Sequence, residues 1–201
     1  MRFEPGNHKA HGLTHDPFKA IVSPRPIGWI STRAKSGAEN VAPYSFYNAV
    51  AGKPPIVMFS SEGQKDSVTF ARETGVFAAN FTGDGDFEVM NDTSAPLERG
   101  VSEFEQFGLS KTDCYWIDCP MVASAPAVLE CRVIEVKQLH DLDQKKLDTW
   151  TVFGQVVGIH IAEQYVSEGR FDVSKSKPLT RLGYRDFAQI TSTFEAKRPG
   201  E

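Results

Sequence analysis

Two long strand-like segments near the end of the chain limit what it can fold into. Residues 127–139 and 149–161 are each far longer than a mean strand of about 5–6 residues. In the first, apolar residues hold odd positions up to Val133 and even positions from Ile134. This change of phase predicts a β-bulge near Val133. Long bulged strands can bend, so the pattern favours a closed or partly open β-barrel.

The second long segment has one face of small residues. Gly154, Val156, Gly158 and His160 alternate there, opposite a larger and more apolar face. Small residues in a strand predict the close approach of another group. His160 is therefore a candidate site residue, while a histidine satisfied in the core or at an interface explains it equally well.

Shorter elements precede these strands. A helix is predicted over residues 66–74, with Asp66 or Ser67 as its N-cap and Gly75 as its stop. The continuous apolar run at residues 56–60 predicts a strand buried on both faces. The other predicted elements are a β-hairpin with arms at residues 27–33 and 40–44, a strand at 76–82, and short helices at 86–91 and 102–107. The predicted fold is mainly β with a few short helices.

One domain accounts for the 201 residues. We expect an N-terminal arm at residues 1–17, the domain at 18–190 and a C-terminal tail at 191–201. The arm carries three irregularly spaced histidines, His8, His11 and His15. A loosely packed tail explains them better than a metal site.

Charge and hydropathy indicate the surroundings of the protein. The net charge of -4 gives no attraction to nucleic acid or an anionic membrane. The apolar runs are too short for a membrane helix, and the first residues lack the apolar region of a signal peptide. Three cysteines form no even disulfide framework, and the spacing of Cys114 and Cys119 is a weak metal pattern. We expect a cytoplasmic protein with no metal.

Several well-known catalytic motifs are missing from the sequence. It has no Gly-x-Ser-x-Gly elbow, no Gly-x-x-x-x-Gly-Lys phosphate loop and no His-Glu-x-x-His pair. The Gly-x-Gly-x-x-Gly fingerprint is also missing, and Gly83–Asp84–Gly85 is an acidic loop unsuited to phosphate. Any nicotinamide must therefore bind without a Rossmann domain.

The sequence instead contains small clusters of polar residues within apolar, strand-like segments. Such a composition is typical of a pocket for a flat polar heterocycle with an anionic tail. Arg25, held extended between two prolines, could pair with a phosphate. Lys65 and the helix start after it favour an anion, whereas Asp66 opposes one unless it only caps the helix. The clusters are SPRPIGWIST at residues 23–32, APYSFYNA at 42–49, KDS at 65–67 and MNDTSAP at 90–96.

In this order the clusters resemble the flavin reductase-like family of FMN-binding split barrels. The resemblance continues through residues 130–132, 154–160 and 181–183 and covers about residues 18–184. It implies a Greek-key split β-barrel, a homodimer, and FMN near the subunit interface with NADH or NADPH docking transiently over the flavin. Carried over to matching positions, the FMN-binding residues are Ser31, Thr32, Ser45, Asn48, Lys65, Asp66 and Ser67, with Ser94 and Ala95 approaching from a loop and Arg25 as a phosphate candidate.

The function that this resemblance implies is an NAD(P)H:flavin oxidoreductase, which could feed reduced flavin to a separate monooxygenase or another electron acceptor. The cofactor would carry the reaction, so no catalytic acid or base is required. A flavoredoxin-like FMN electron carrier without NAD(P)H turnover is the alternative. A pyridoxamine-phosphate-oxidase-like barrel for a different cofactor is a third possibility.

Overall fold

The computed structural model describes residues 1–83 and 85–200, so Asp84 and Glu201 lie outside it. Its strands are β1 Arg25–Pro26, β2 Gly28–Arg33, β3 Glu39–Tyr44, β4 Tyr47–Gly52, β5 Pro55–Glu62, β6 Val76–Phe81, β7 Lys111–Asp113, β8 Pro120–Val122, β9 Ala127–His140, β10 Lys146–Ile161, β11 Val166–Ser167, β12 Arg170–Phe171, β13 Leu179–Arg181 and β14 Phe187–Gln189. The α-helices are α1 Phe18–Ile21, α2 Asp66–Thr74, α3 Phe87–Asp92, α4 Glu103–Gln106 and α5 Val173–Ser176, and 3₁₀ helices span His8–His11 and Glu163–Tyr165.

Seven strands form one antiparallel sheet in the order β3-β2-β6-β9-β10-β5-β4. The long strands β9 and β10 lie in its middle. Only Ser45 and Phe46 separate β3 from β4 along the chain, yet within the described residues these two strands end the sheet without pairing. The sheet is thus not closed, and the prediction of a mainly β split barrel is confirmed.

Apolar side chains pack on both faces of this sheet. On one face, Ile30, Phe59 and Phe77 are buried against α2, which contributes Val68 and Ala71. On the other, the side chains of β2, β6 and β9 pack against α3, α4 and the segment that leads into β8. Each large side chain that is fully buried contributes about 1.5–3 kcal/mol. The helices are thereby fixed against the sheet.

Helix α2 has the predicted bounds but not the predicted cap. Gly75 ends it with φ 76°, a left-handed conformation that glycine adopts without a Cβ penalty. The N-cap is Lys65, in extended backbone, and no side chain caps the helix. The expected capping by Asp66 or Ser67 is therefore wrong, because both side chains bind other partners.

The β-bulge expected near Val133 is confirmed, and a second one changes the predicted faces of β10. The register between β9 and β10 shifts first at Ile134 and second at Val157, and a further irregularity lies between Lys146 and Trp150. The second shift moves Gly158 to the face opposite Gly154. The ring of Phe77 packs against Gly154 and that of Trp116 against Gly158. The groups that closely approach these glycines are therefore side chains of this chain.

Strand β5 is confirmed, but it is not buried on both faces. Val57, Phe59 and Ser61 are buried, whereas Ile56 and Met58 are only half-buried on the opposite face. Sequence polarity did not distinguish the two faces, because the partly exposed outer face also carries apolar residues.

The N-terminal arm is more ordered than expected. His8–His11 forms a 3₁₀ helix, and the ring of His11 stacks on Phe3 at 5.2 Å between centroids. Further along, the ring of His15 lies 5.4 Å from that of Tyr184. His11 and His15 thus contact different aromatic residues, and the three histidines are spread along the arm.

The three cysteines are free thiols. Burial raises the pKa of Cys119 and Cys131, which keeps both thiols protonated and unreactive at neutral pH. Within residues 1–83 and 85–200, no group of three or more His, Cys, Asp or Glu side chains is placed to hold a metal. In the same residues, no helix has the length and apolar character needed to cross a membrane.

Candidate functional site

A groove of about 510 Å³, with both polar and apolar lining residues, lies where α2 begins, beside β3. One wall is the stretch of residues 93–99, which with Gly100 we call the groove loop. The lining residues are Asn40, Ala42, Pro43, Tyr44, Glu62, Gly63, Gln64, Lys65, Asp66, Ser67, residues 93–99 and Glu103. Five of the predicted cofactor-binding residues thus come together here: Lys65, Asp66, Ser67, Ser94 and Ala95.

The start of α2 is suited to an anion. The first amides of a helix have no acceptor within the helix, and no side chain caps them here. Lys65 is exposed beside them. Its charge and the positive end of the helix dipole both favour a phosphate at this end of the groove.

The side chain of Ser67, in the first turn of α2, is held by hydrogen bonds to neighbouring elements. Its buried hydroxyl donates to Asn40 Oδ1 at 2.6 Å, and Asn40 Nδ2 donates to both carboxylate oxygens of Glu103 at 3.0 Å. The amide of Val41 also donates to Glu103, at 3.0 Å. This hydrogen-bonded chain joins α2, β3 and α4, so it fixes the floor of the groove. Asn40 and Glu103 were not predicted from the sequence.

Glu103 is buried, and this burial raises the pKa of its carboxyl, with the nearby Asp66 carboxylate adding to the effect. A carboxyl that holds its proton more tightly adds less negative potential to the groove. The raised pKa also links folding to pH.

Replacing Glu103 by glutamine is expected to flatten the pH dependence of stability. The native carboxyl binds its proton more tightly than the unfolded one, whose pKa is 4.5. The wild-type free energy of unfolding should therefore fall, relative to that of Glu103→Gln, as pH rises from 4.5 through the raised native pKa. Urea unfolding across this range measures the difference. Glu105→Gln, an exposed position on the same helix, is the control, and parallel curves for wild type and Glu103→Gln would contradict the assignment.

Asp66 binds the groove loop rather than the helix start. Its Oδ2 accepts the amide of Gly100 at 2.9 Å, and its Oδ1 lies 3.6 Å from Arg99 Nη1. Arg99 also donates to the carbonyl of Gln64 at 3.1 Å and to the hydroxyl of Thr69 at 3.3 Å. Arg99 is a further lining residue that sequence reasoning missed.

One buried polar atom beside the groove lacks a partner. The Tyr44 hydroxyl is near Ser61 and Ser67, but no described atom completes a hydrogen bond with it. Ser61 and Ser67 donate instead to Gly63 O and Asn40. Burial raises the pKa of Tyr44, so the hydroxyl stays a donor. A buried hydroxyl without a partner is unusual, but protein atoms cover this oxygen, so it does not face the groove.

The structure places Arg25 away from this groove. Its guanidinium donates to the carbonyls of Lys19 and Val22, and to that of Leu182 at 2.7 Å. These contacts tie α1 to the segment after β13. They give Arg25 a structural role, and we do not carry the phosphate assignment forward.

Five other predicted residues also lie outside the lining of the groove. Ser31 is buried and donates to the carbonyl of Pro120 at 2.6 Å, and Thr32 beside it is buried with no partner for its hydroxyl among the described residues. Ser45 is half-buried between β3 and β4. Asn48 is exposed on β4, where its side-chain oxygen accepts the amide of Ala49. His160 is exposed on β10, also outside the lining.

Comparison with known proteins decides the family. Residues 22–180 match the model of the flavin reductase like domain. The chain belongs to the flavin reductase-like family. The resemblance noted in the sequence is thereby confirmed, and this family context makes a flavin the ligand to test against the groove.

Individual relatives agree with this family. The uncharacterized protein YwrF of Bacillus subtilis is 31% identical over 192 residues, covering 92% of this chain and 93% of its own. The structure of nitrilotriacetate monooxygenase component B from Bacillus cereus has a TM-score of 0.86 and 27% identity, with 98% of both chains covered. That of Pseudomonas fluorescens 2-nitrobenzoate 2-nitroreductase NbaA has a TM-score of 0.83 and 25% identity, covering 100% of this chain and 97% of its own.

Proposed function

We propose that the protein is an FMN-dependent oxidoreductase that takes a hydride from NADH or NADPH, and that FMN binds in the groove at the start of α2. The observation that carries this proposal is the uncapped helix start beside Lys65, opening on a groove of mixed polar and apolar lining in a flavin reductase-like chain. A phosphate is the group that such a helix start favours.

The residues present fit FMN in kind. Lys65 and the first amides of α2 would hold the phosphate. Ser94 and Ala95 would contact the ligand from the groove loop. Bound FMN supplies the hydride-accepting chemistry, while the chain binds and orients it.

The names of two structural relatives suggest which electron acceptors to propose. One structural relative is a component of a nitrilotriacetate monooxygenase and another is a nitroreductase. We propose that this chain likewise passes electrons onward, either to free flavin for a separate oxygenase or to a small organic acceptor. Steady-state assays with free FMN and with nitroaromatic compounds distinguish these acceptors by which one supports NAD(P)H oxidation.

We also propose a homodimer. Apolar side chains remain exposed on the sheet, including Val50 on β4 and Ile134 at the first bulge of β9. Burying such side chains against a second copy would be favourable. Light scattering tests this, since one chain has a mass of 22.3 kDa and a dimer would have twice that mass. A single-chain mass at micromolar concentration would reject the dimer.

The visible spectrum tests the proposed function directly. Purified protein is mixed with FMN, and anaerobic NADH or NADPH is then added. We expect bound flavin to lose its absorption near ~450 nm at rates that support turnover. Flavin binding without bleaching would favour the flavoredoxin-like carrier, and failure to bind FMN would reject the groove assignment.

A further inference from the structure

The negative charge of Asp66, considered alone, is unfavourable for an anion site at the start of α2. Asp66 is the second residue of a Lys-Asp-Ser segment whose lysine and backbone amides favour phosphate. A carboxylate there should repel the same phosphate. The structure shows, however, that its side chain is only 14% exposed and that both of its oxygens face the groove loop.

The contacts of Asp66 join two parts of the groove that are far apart in sequence. One oxygen accepts the amide of Gly100, and the other faces the guanidinium of Arg99. Arg99 in turn donates to Gln64 and Thr69, on either side of Asp66 along the chain. The end of the groove loop is thereby tied to the first turn of α2 through four contacts.

The start of the groove loop is held separately. Thr93 is buried, and its hydroxyl accepts the indole N–H of Trp29 at 2.9 Å while donating to the carbonyl of Met90 at 2.7 Å. Ser94 to Glu98 lie between these two attachments and line the groove. If Asp66 is lost, the loop keeps its first anchor, whereas its second loses two of four contacts and keeps only the bonds that Arg99 donates to Gln64 and Thr69.

We propose that Asp66 is a positioning residue that holds the groove loop closed against α2, so that the loop forms a fixed wall for the ligand. Its charge is directed to Arg99 and the Gly100 amide and is not presented to the phosphate. This inference rests on the proposed function only in naming FMN as the ligand.

The sign of a substitution effect separates positioning from simple repulsion. If Asp66 acted only as a negative charge near the phosphate, its removal would tighten FMN binding and leave riboflavin, which lacks the phosphate, unchanged. If Asp66 holds the loop, its removal lowers the fraction of molecules with a formed groove and weakens both ligands.

The experiment measures dissociation constants of FMN and riboflavin for the full-length protein and two variants. Asp66→Ala removes both loop contacts, and we expect on the order of tenfold weaker binding of both ligands. Asp66→Asn removes the charge and keeps an oxygen for the Gly100 amide, so we expect a smaller loss in the same direction. Glu73→Gln, which removes an exposed carboxylate near the other end of α2, is the control and should bind both ligands as the wild type does.

A second readout follows the loop itself. Trypsin cleaves after arginine, and the contacts of Arg99 should protect the bond between Arg99 and Gly100. In Asp66→Ala, we expect this bond, identified by mass spectrometry of the fragments, to be cut at least severalfold faster than in the wild type. Cleavage at wild-type rates, or FMN binding that is unchanged or tighter in Asp66→Ala, would overturn the inference. If wild-type protein bound no FMN, the proposed function would fail, and the cleavage rates would still test the attachment of the loop.

Discussion

Replacing Gly154 by alanine is expected to lower the free energy of unfolding by about 3 kcal/mol, the upper end of what overpacking a core usually costs. An added Cβ would lie 2.4 Å and 2.5 Å from two ring carbons of Phe77 and 3.0 Å from the Cβ of Cys131. Phe77 is itself fully buried among the side chains between β6, β10 and α2, so its ring has little room to move. Urea unfolding followed by far-UV circular dichroism measures the change as a lower midpoint at similar slope.

Gly52→Ala is the matched control for this prediction. Gly52 also lies on a strand, β4, but nothing is within 4 Å of its added Cβ, so we expect a change within about 0.5 kcal/mol. A side chain smaller than the Phe77 ring should relieve the strain, and Phe77→Leu is therefore expected to cost less in the Gly154→Ala background than alone. Equal effects of the two glycine substitutions would show that the strand adjusts freely at Gly154.

The parts of the fold that the sequence predicted have strong local signals. Helix α2 has a polar start and a glycine stop, and its bounds were predicted to the residue. The first bulge of β9 follows from a visible change of apolar phase at Ile134. The bulge at Val157, which lies on β10, has no such signal, because Val156 and Val157 are both apolar and fit either face. Strands of two or three residues, such as β13 and β14, are too short to show a period.

The candidate site was predicted only where its residues are adjacent in sequence. Lys65 and Ser94 lie in recognisable segments, and both line the groove. Asn40, Arg99 and Glu103 were missed because their roles arise from contacts across many residues. Arg25 shows the converse case: its extended setting between prolines was visible, but its carbonyl partners come from α1 and the segment after β13. Local sequence therefore indicates the chemistry of a side chain better than its partners.

Replacing Lys65 by methionine is expected to weaken FMN binding on the order of 10- to 100-fold, since a hydrogen bond to a charged group contributes about 1.5–3 kcal/mol and 1.4 kcal/mol is a factor of ten. Methionine keeps the length and apolar stem of the side chain and removes its charge. Lys65 is the exposed cation that directly precedes the uncapped start of α2. The loss should be confined to ligands with a phosphate, so riboflavin should bind Lys65→Met as it binds the wild type.

This selectivity distinguishes the role of Lys65 from that of Asp66. Loss of the lysine removes one charge and leaves the contacts of the groove loop intact, whereas loss of Asp66 removes two of the four contacts at the end of the loop and weakens the binding of both ligands. Raising the salt concentration should reduce the difference between wild type and Lys65→Met for FMN, because exposed charges are screened. Lys35→Met, in the exposed turn between β2 and β3, is the control. Equal weakening of FMN and riboflavin by Lys65→Met would place the phosphate elsewhere and assign Lys65 a role in the shape of the groove.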